Sequence, residues 1–271
     1  MTRFEFDPNG NQIRKSAPAG VTQFVWNLDN RLTELTLPSG LVNRMAYAPD
    51  GLRTHLEDTD GVHDILLDGI EELAEYDATG AQRLAWTHSP ARVDEILSQV
   101  SSQGKGFFQG DALGSIVGLS EGSGQLARAV RYDAYGGVSA GTGTFGTPWG
   151  FTGRRIASSE VDNISYHRAR YLSLATGAFL SGDPVDRYGY GYAAANPIRF
   201  ADPFGLVATA ITLVGIRLEA AVIATAAAPR GPSVVISILT ILFTLALVAA
   251  AGVVLIVSTR PAGPPCGEVA S

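Results

Sequence analysis

The sequence predicts a mainly β chain of antiparallel hairpins, followed by an α-helical C-terminal segment that crosses a membrane. Three observations predict it. An aromatic–Asp–turn pattern recurs through the first half. A stretch dense in Tyr, Phe and Gly runs from Phe151 to Leu206 and carries Asp-Pro at Asp183-Pro184 and Asp202-Pro203. After Leu206 the composition changes abruptly to Ala, Val, Leu and Ile. The chain has 271 residues, enough for one large or two modest domains. The expected boundaries are 1–100 for hairpin repeats, 101–206 for a core region ending in Asp-Pro-Phe-Gly-Leu, and 207–271 for a hydrophobic helical region.

The repeats set the first element. Phe4 to Ile13, Phe24 to Leu32, Arg44 to Arg53, Ala74 to Leu84 and Val130 to Val138 each place an aromatic beside Asp, Asn or a Pro-Asp-Gly turn. Phe6, Trp26 and Tyr47 lie about 20 residues apart, a spacing that signals a repeat architecture. Alternation such as Phe4-Glu5-Phe6 puts aromatics on one strand face. Asp-x-x-Gly or Asn-Gly then supplies a tight turn. One hairpin cannot bury its apolar face alone, but a row of them can. Strands of about 5–6 residues are therefore expected over 1–206. A short helix is expected at Val93 to Val100, where Val93, Ile96, Leu97 and Val100 follow helical spacing. Gly114-Ser115 and Gly122-Ser123-Gly124 are expected hairpin turns, flanked by Ile116 to Leu119 and Val130 to Tyr132 as strands. Because few repeats are present, the first strand is expected to be an open, unpaired edge.

The tail sets the last element. Val234 to Ser258 is a run without a charge, about 25 residues long and sufficient to cross a bilayer. Val207 to Ala228 is also apolar but carries Arg217 and Glu219, which favours an interfacial or bundle-facing helix over an independent span. Pro229 to Pro232 is the expected turn between the two helices. Arg230 and Arg260 flank the span almost symmetrically, so orientation is not readable.

Composition excludes several classes. A formal charge of -6 offers no basic field for nucleic acid. The single cysteine, Cys266, excludes an internal disulfide and a Cys-based zinc site. His55, His63, His88 and His167 lack metal spacing and read as ordinary surface or strand residues. No cofactor or metal is expected. Residues 1–16 hold no apolar segment of the kind that opens a secretory signal peptide.

These residues resemble the Rhs, or YD-repeat, family. The Tyr-Asp elements are similar to its repeats, and Phe108 to Leu119 to a strand–turn–strand that precedes its core. Tyr132-Asp133-Ala134-Tyr135-Gly136, Phe151-Thr152-Gly153, Tyr166 to Tyr171, Gly177 to Ser181, Asp183-Pro184, Asn196-Pro197 and Asp202 to Leu206 resemble the Rhs-associated core in order and spacing. The resemblance covers 1–206 and is specific from 108 onward. The chain departs from the family pattern in its few repeats, in Asp186, and in Tyr188 to Tyr192. The resemblance implies part of an Rhs-type β-shell that encloses a variable C-terminal segment. Such proteins include polymorphic toxins and toxin-complex C components. It also implies an intramolecular aspartyl-type autoprotease, the only enzyme activity expected. Carried over by position, Asp183 and Asp202 are the candidate carboxylates, and the bond after Leu206 is the candidate scissile bond.

The chemistry is consistent with that residue type. Peptide hydrolysis by carboxylates needs two that share a proton: one takes a proton from water while the other protonates the carbonyl oxygen. Asp186 is a third candidate. Arg168, Arg170 and Arg187 are candidates to orient the carboxylates. Asp-Pro as a simple turn marker remains an open alternative. Two functions also remain open: release of a small membrane-acting effector, or a non-catalytic membrane-anchored surface, adhesion or remnant fragment. The implied partners are upstream repeats or another shell component, membrane lipid, and an immunity protein, with no nucleic acid. Localisation is at the membrane, or as an effector secreted by a specialised system.

Overall fold

The computed structural model describes residues 1–158, 164–185, 189–206 and 209–210. Fourteen strands follow one another as an antiparallel meander, each paired with its neighbours in sequence. They are β1 (Arg3–Phe6), β2 (Gln12–Ala17), β3 (Gly20–Trp26), β4 (Leu32–Thr36), β5 (Val42–Tyr47), β6 (Arg53–Asp58) and β7 (Gly61–Asp68). The series continues with β8 (Glu71–Tyr76), β9 (Gln82–His88), β10 (Ile96–Ser101), β11 (Gly104–Gly110), β12 (Ile116–Glu121), β13 (Leu126–Tyr132) and β14 (Val138–Gly143). A smaller sheet holds β15 (Arg155–Ser158), β16 (Ile164–His167), β17 (Arg170–Ser173) and β18 (Ala178–Phe179). Finally β19 (Phe200–Ala201) pairs with β20 (Thr209–Ala210).

The recurring aromatic–Asp pattern has a definite physical content. At each repeat the strand carries a bulge immediately before the aromatic: between Glu5 and Phe6, Val25 and Trp26, Ala46 and Tyr47, Glu75 and Tyr76, and Arg131 and Tyr132. Except at Tyr47, where Ala48 follows, the next residue is Asp or Asn, and its side chain organises the turn. Asp7 Oδ1 accepts the N–H of Asn9 at 2.9 Å and of Asn11 at 2.8 Å. Asn27, Asp77, Asp111 and Asp133 accept in the same two positions. The residue three after the acceptor takes a positive φ, 85° at Gly10 and 58° at Asn30, which is why Gly or Asn stands there. The aromatic itself reaches back to the preceding hairpin. Trp26 Nε1 donates to the Gln12 carbonyl at 2.9 Å, Tyr47 Oη to that of Leu32 at 2.5 Å, and Tyr132 Oη to that of Ile116 at 2.8 Å. Each such bond contributes about 0.5–1.5 kcal/mol and fixes register between successive hairpins.

The smaller sheet packs on one face of the meander. Phe24, Leu32, Leu35, Leu37, Met45 and Leu56 meet Ile164, Tyr166, Tyr171 and Leu180 in one buried cluster. Trp86, Ile96, Ile116 and Trp149 form a second. Burying each such side chain contributes about 1.5–3 kcal/mol, so packing holds the layers together while the aromatic clamps set their register. Both strands of the β16–β17 hairpin are buried at every position, which accounts for the large side chains of Tyr166, Tyr171 and Leu172 there.

Two expectations need correction. Val93 to Val100 is not a helix, because Ile96–Ser101 is β10. A bulge between Ile96 and Ser98 shifts the alternation by one residue, and Leu97 and Val100 point outward. That shift imitates helical spacing in the sequence. The helical membrane segment expected from 207 to 258 is overturned at its start, where Thr209–Ala210 is a strand paired with Phe200–Ala201. The turn at Asp202 to Leu206 reverses the chain onto β19, and strand pairing prevails there over helix propensity. Among the described residues there is no α-helix, and no helix is long and apolar enough to cross a membrane. The span expected at 234–258 and the charges Arg217 and Glu219 lie outside the described residues.

The first strand is an edge, as expected. Among the described residues β1 pairs with β2 alone, and Phe4 and Phe6 are 39% and 48% exposed. A bare edge with apolar side chains templates further pairing. Residues 1–206 expressed alone are expected to self-associate, measured by light scattering after size exclusion. A stable, monodisperse monomer would contradict this.

Candidate functional site

The site forms where the 202–206 turn packs against the β16–β17 hairpin. Arg170, at the start of β17, is buried and donates in four directions. Its Nε reaches the Gly205 carbonyl, and its Nη1 reaches that of Gly189 at 2.9 Å. Its Nη2 meets Asp183 Oδ2 at 2.9 Å and Asp202 Oδ2 at 3.4 Å. The guanidinium lies over the Phe179 ring, its Cζ 3.7 Å from the centroid. Burial lowers the Arg170 pKa, against the pull of Asp183 and then Asp202. The two candidate carboxylates are therefore brought to a single nitrogen, although 19 positions of sequence separate them.

Each aspartate also orders its own turn. Asp183 Oδ1 accepts the N–H of Val185 at 2.8 Å, and Asp202 Oδ1 accepts that of Leu206 at 3.0 Å. The Asp202 carboxylate thus sits on the amide of the residue whose carbonyl is the candidate point of attack. Gly205, between them, has φ of +66°, and a Cβ there would lie 2.6 Å from the His167 carbonyl oxygen and 3.0 Å from the Arg170 nitrogen. The turn can approach the hairpin this closely only with Gly at 205. Gly205→Ala is expected to displace the turn from Arg170 and lower the thermal midpoint, by roughly 1–3 kcal/mol of stability for the strained backbone. Differential scanning fluorimetry measures it, and an unchanged midpoint would contradict the geometry.

Arg168 does not join the pair. It turns the other way at the β16–β17 corner, with φ of 55°. Its guanidinium binds Asp94 and donates to the Pro203 carbonyl at 2.9 Å and that of Ile70 at 3.2 Å. Arg154 binds the same Asp94 and donates to the Pro203 carbonyl at 3.1 Å. Burial opposes the charge on Asp94, but the Arg154 and Arg168 guanidiniums outweigh it and hold the carboxyl at about 2. Arg168 therefore anchors the Asp202–Leu206 turn from behind rather than orienting the carboxylates. Arg187 and Asp186 lie outside the described residues.

Sequence reasoning missed three contributors. Asp94 lies in the β9–β10 connection, and a positive φ at a non-glycine residue is its only local mark. Arg154 shares Asp94 and the Pro203 carbonyl. His167 is fully buried, with Nδ1 2.8 Å from the Asp202 carbonyl oxygen. Among the described residues no cluster of His, Cys, Asp or Glu is arranged to hold a metal ion.

No family model matches the chain. Over 215 residues, 74% of the chain, it is 26% identical to the tRNA3(Ser)-specific nuclease WapA of Bacillus spizizenii, covering 9% of that protein. Over 248 residues, 75% of the chain, it is 28% identical to double-stranded DNA deaminase toxin A of Burkholderia cenocepacia, covering 17% of it. The chain thus spans between 9% and 17% of the length of these curated relatives. In fold it is similar to the TcdB2–TccC3–Cdc42 crystal structure, with a TM-score of 0.59 at 18% identity over 74% of this chain and 11% of that one. It is also similar to a Photorhabdus luminescens Tc holotoxin pore carrying a TccC3 variant, with a TM-score of 0.55 at 15% identity over 80% of this chain and 13% of that one. The chain is therefore similar in sequence to a nuclease and a deaminase toxin, and in fold to parts of Tc toxin structures.

Proposed function

We propose that residues 1–206 form the closing part of a larger β-shell and that this part cuts its own chain between Leu206 and Val207, freeing the segment beyond. The observation that carries the proposal is the meeting of Asp183 and Asp202 on Arg170 Nη2, with Asp202 Oδ1 on the Leu206 amide and Arg170 Nε on the Gly205 carbonyl. Like charges at such proximity repel, and the guanidinium offsets that repulsion enough to hold both in one place. Hydrolysis by the pair requires one carboxyl protonated as the acid and the other ionised as the base. The base takes a proton from water as its oxygen attacks the Leu206 carbonyl carbon. The acid protonates the carbonyl oxygen to give a gem-diol. The carboxyl that took the proton from water then passes it to the Val207 nitrogen, the C–N bond breaks, and a hydroxyl proton of the diol returns to the other carboxylate as the new Leu206 carboxyl forms. The anchors from Arg154 and Arg168 to the Pro203 carbonyl restrain the turn, so that the reacting groups stay in register.

The exposed β1 edge supports a partner of the same kind as the strands present, namely further hairpins upstream or on another shell component. In this reading the freed segment is a toxin cargo, and the producing cell needs an immunity protein against it. The similarity to toxin-related proteins many times longer than this chain supports that role. Intact-mass measurement of the purified 271-residue chain tests the cleavage. Two species, ending at Leu206 and beginning at Val207, are expected. A single uncut species would contradict it and would leave the Arg170 contacts as a structural cross-link.

A further inference from the structure

Asp202 is held at its backbone as well as at its carboxylate. His167, the last residue of β16, is fully buried and lies edge-on to the rings of Phe179 and Tyr192, with centroids 5.8 Å and 5.4 Å away. Its Nδ1 is 2.8 Å from the Asp202 carbonyl oxygen, and its Nε2 is 2.9 Å from Ser165 Oγ. A carbonyl only accepts, so Nδ1 carries the proton. In the neutral ring Nε2 is then an acceptor, and the Ser165 hydroxyl donates to it. Burial first, and then the charge on Arg154, hold the imidazole down to about 3, consistent with that neutral form.

We infer that His167 is a positioning residue for the cleavage proposed above, fixing Asp202 through the bond from Nδ1–H to the Asp202 carbonyl; this role rests on that reading. Asp202 is then held by His167 from β16, by Arg170 from β17, and by the Leu206 amide within its own turn. The last two act on the carboxylate and the first on the main chain. The His167 bond, at 2.8 Å, is shorter than the 3.4 Å contact from the Gly205 N–H to the same carbonyl. Loss of the His167 bond lets the main chain that carries this carboxylate shift relative to Arg170. A misplacement of about 1 Å in a reacting group reduces rate by up to ~100-fold.

A Ser165–His167 nucleophilic pair accounts for the same two side chains less well. A serine nucleophile needs its histidine to accept a proton at Nε2 while Nδ1–H is oriented towards a carboxylate. Here Nδ1 is committed to a main-chain carbonyl, and Ser165 Oγ is buried against the imidazole. The geometry matches a lock on the Asp202 turn.

The test follows cleavage of the full 271-residue chain during cell-free synthesis, as the rate at which the fragment ending at Leu206 appears. The variants are His167→Ala, His167→Asn and His167→Gln, each with its thermal midpoint measured in an uncleavable Asp202→Asn background. Asn places its amide donor close to where Nδ1 lies, whereas Gln places it close to Nε2. His167→Ala and His167→Gln are expected to slow cleavage about 10-fold or more, and His167→Asn to restore it to within a few-fold of wild type. The Asn and Gln midpoints are expected to stay close together, which a purely structural role does not reconcile with different rates. Equal rates for the Asn and Gln variants would overturn the role even if His167→Ala fails to fold. Wild type that cuts alongside a His167→Gln variant of undiminished rate would overturn the role of His167 alone. Wild type that stays whole would overturn the cleavage reading itself, and this role with it.

Discussion

Asp183→Asn and Asp202→Asn are each expected to leave the chain whole. Asn keeps the size of the side chain and an acceptor oxygen, but it can neither take up nor release the proton that hydrolysis needs. In the structure each carboxylate reaches the same guanidinium nitrogen, so losing either one leaves a single carboxylate and no acid–base couple. The effect on cleavage rate should therefore be total within detection, about 100-fold or greater, the range lost with one general acid or base. The folded structure should survive in both variants. The amide oxygen introduced by Asp202→Asn can still accept the Leu206 N–H, and that introduced by Asp183→Asn the N–H of Val185. Cleavage that persists in both variants would show that the aspartates are not the catalytic pair.

Arg155→Ala is expected to have the largest effect on stability. Arg155 of β15 donates to Glu72 at 2.7 Å and also binds Glu75, both on β8, and all three side chains are almost fully buried. Glu75 is bonded in turn to His63 Nδ1 at 2.7 Å, and His63 Nε2 to Asp58 at 2.9 Å. Removing one partner of a buried ion pair costs about 3–5 kcal/mol, because the remaining charges stay buried. The cluster also sets an acid dependence. Burial opposes ionisation of Glu75, but the His63 hydrogen bond and the Arg155 charge prevail and hold it at about 2, below its ordinary 4.5. A carboxyl lowered on folding contributes stability that is present above its unfolded value and lost as pH falls through its folded value. The wild-type thermal midpoint should therefore fall as pH drops from about 4.5 towards 2. His63 is shifted the opposite way: burial disfavours its charge, but Asp58 and Glu75 outweigh that and raise its pKa. Its contribution is present below its ordinary 6.5 and lost as pH rises through the raised value. Thermal unfolding of wild type and Arg155→Ala across this range measures both effects. A midpoint in Arg155→Ala equal to that of wild type would mean that the buried pairs contribute nothing.

Much of this was legible in the residues themselves. Tyr132-Asp133 with Gly136 announces a turn because the carboxylate, the positive φ and the preceding bulge are all local. Asp183, Asp202 and Arg170 stood out through their motifs, and the structure brings them together. Arg168 and Arg170 look equivalent in Tyr166-His167-Arg168-Ala169-Arg170-Tyr171. The corner of the hairpin falls at Arg168 and sends it to Asp94. That partner lies 74 positions away in sequence and carries no motif, so spacing gives no sign of it. His167 was hidden for a similar reason, since the group that ties it to Asp202 is a main-chain carbonyl, which no side-chain pattern reports. The β10 strand was misread because a bulge and an i, i+4 helical stripe produce the same apolar spacing. The strand at Thr209–Ala210 was misread because pairing with β19 depends on a turn closing, not on the composition of the segment.

The most direct measurement is to sequence the termini generated when wild type and Asp202→Asn are expressed side by side. Cleavage by the aspartate pair predicts one new C-terminus at Leu206 and one new N-terminus at Val207 in wild type, with neither present in Asp202→Asn. An intact wild-type chain, a cut at another bond, or the same termini in the variant would contradict it.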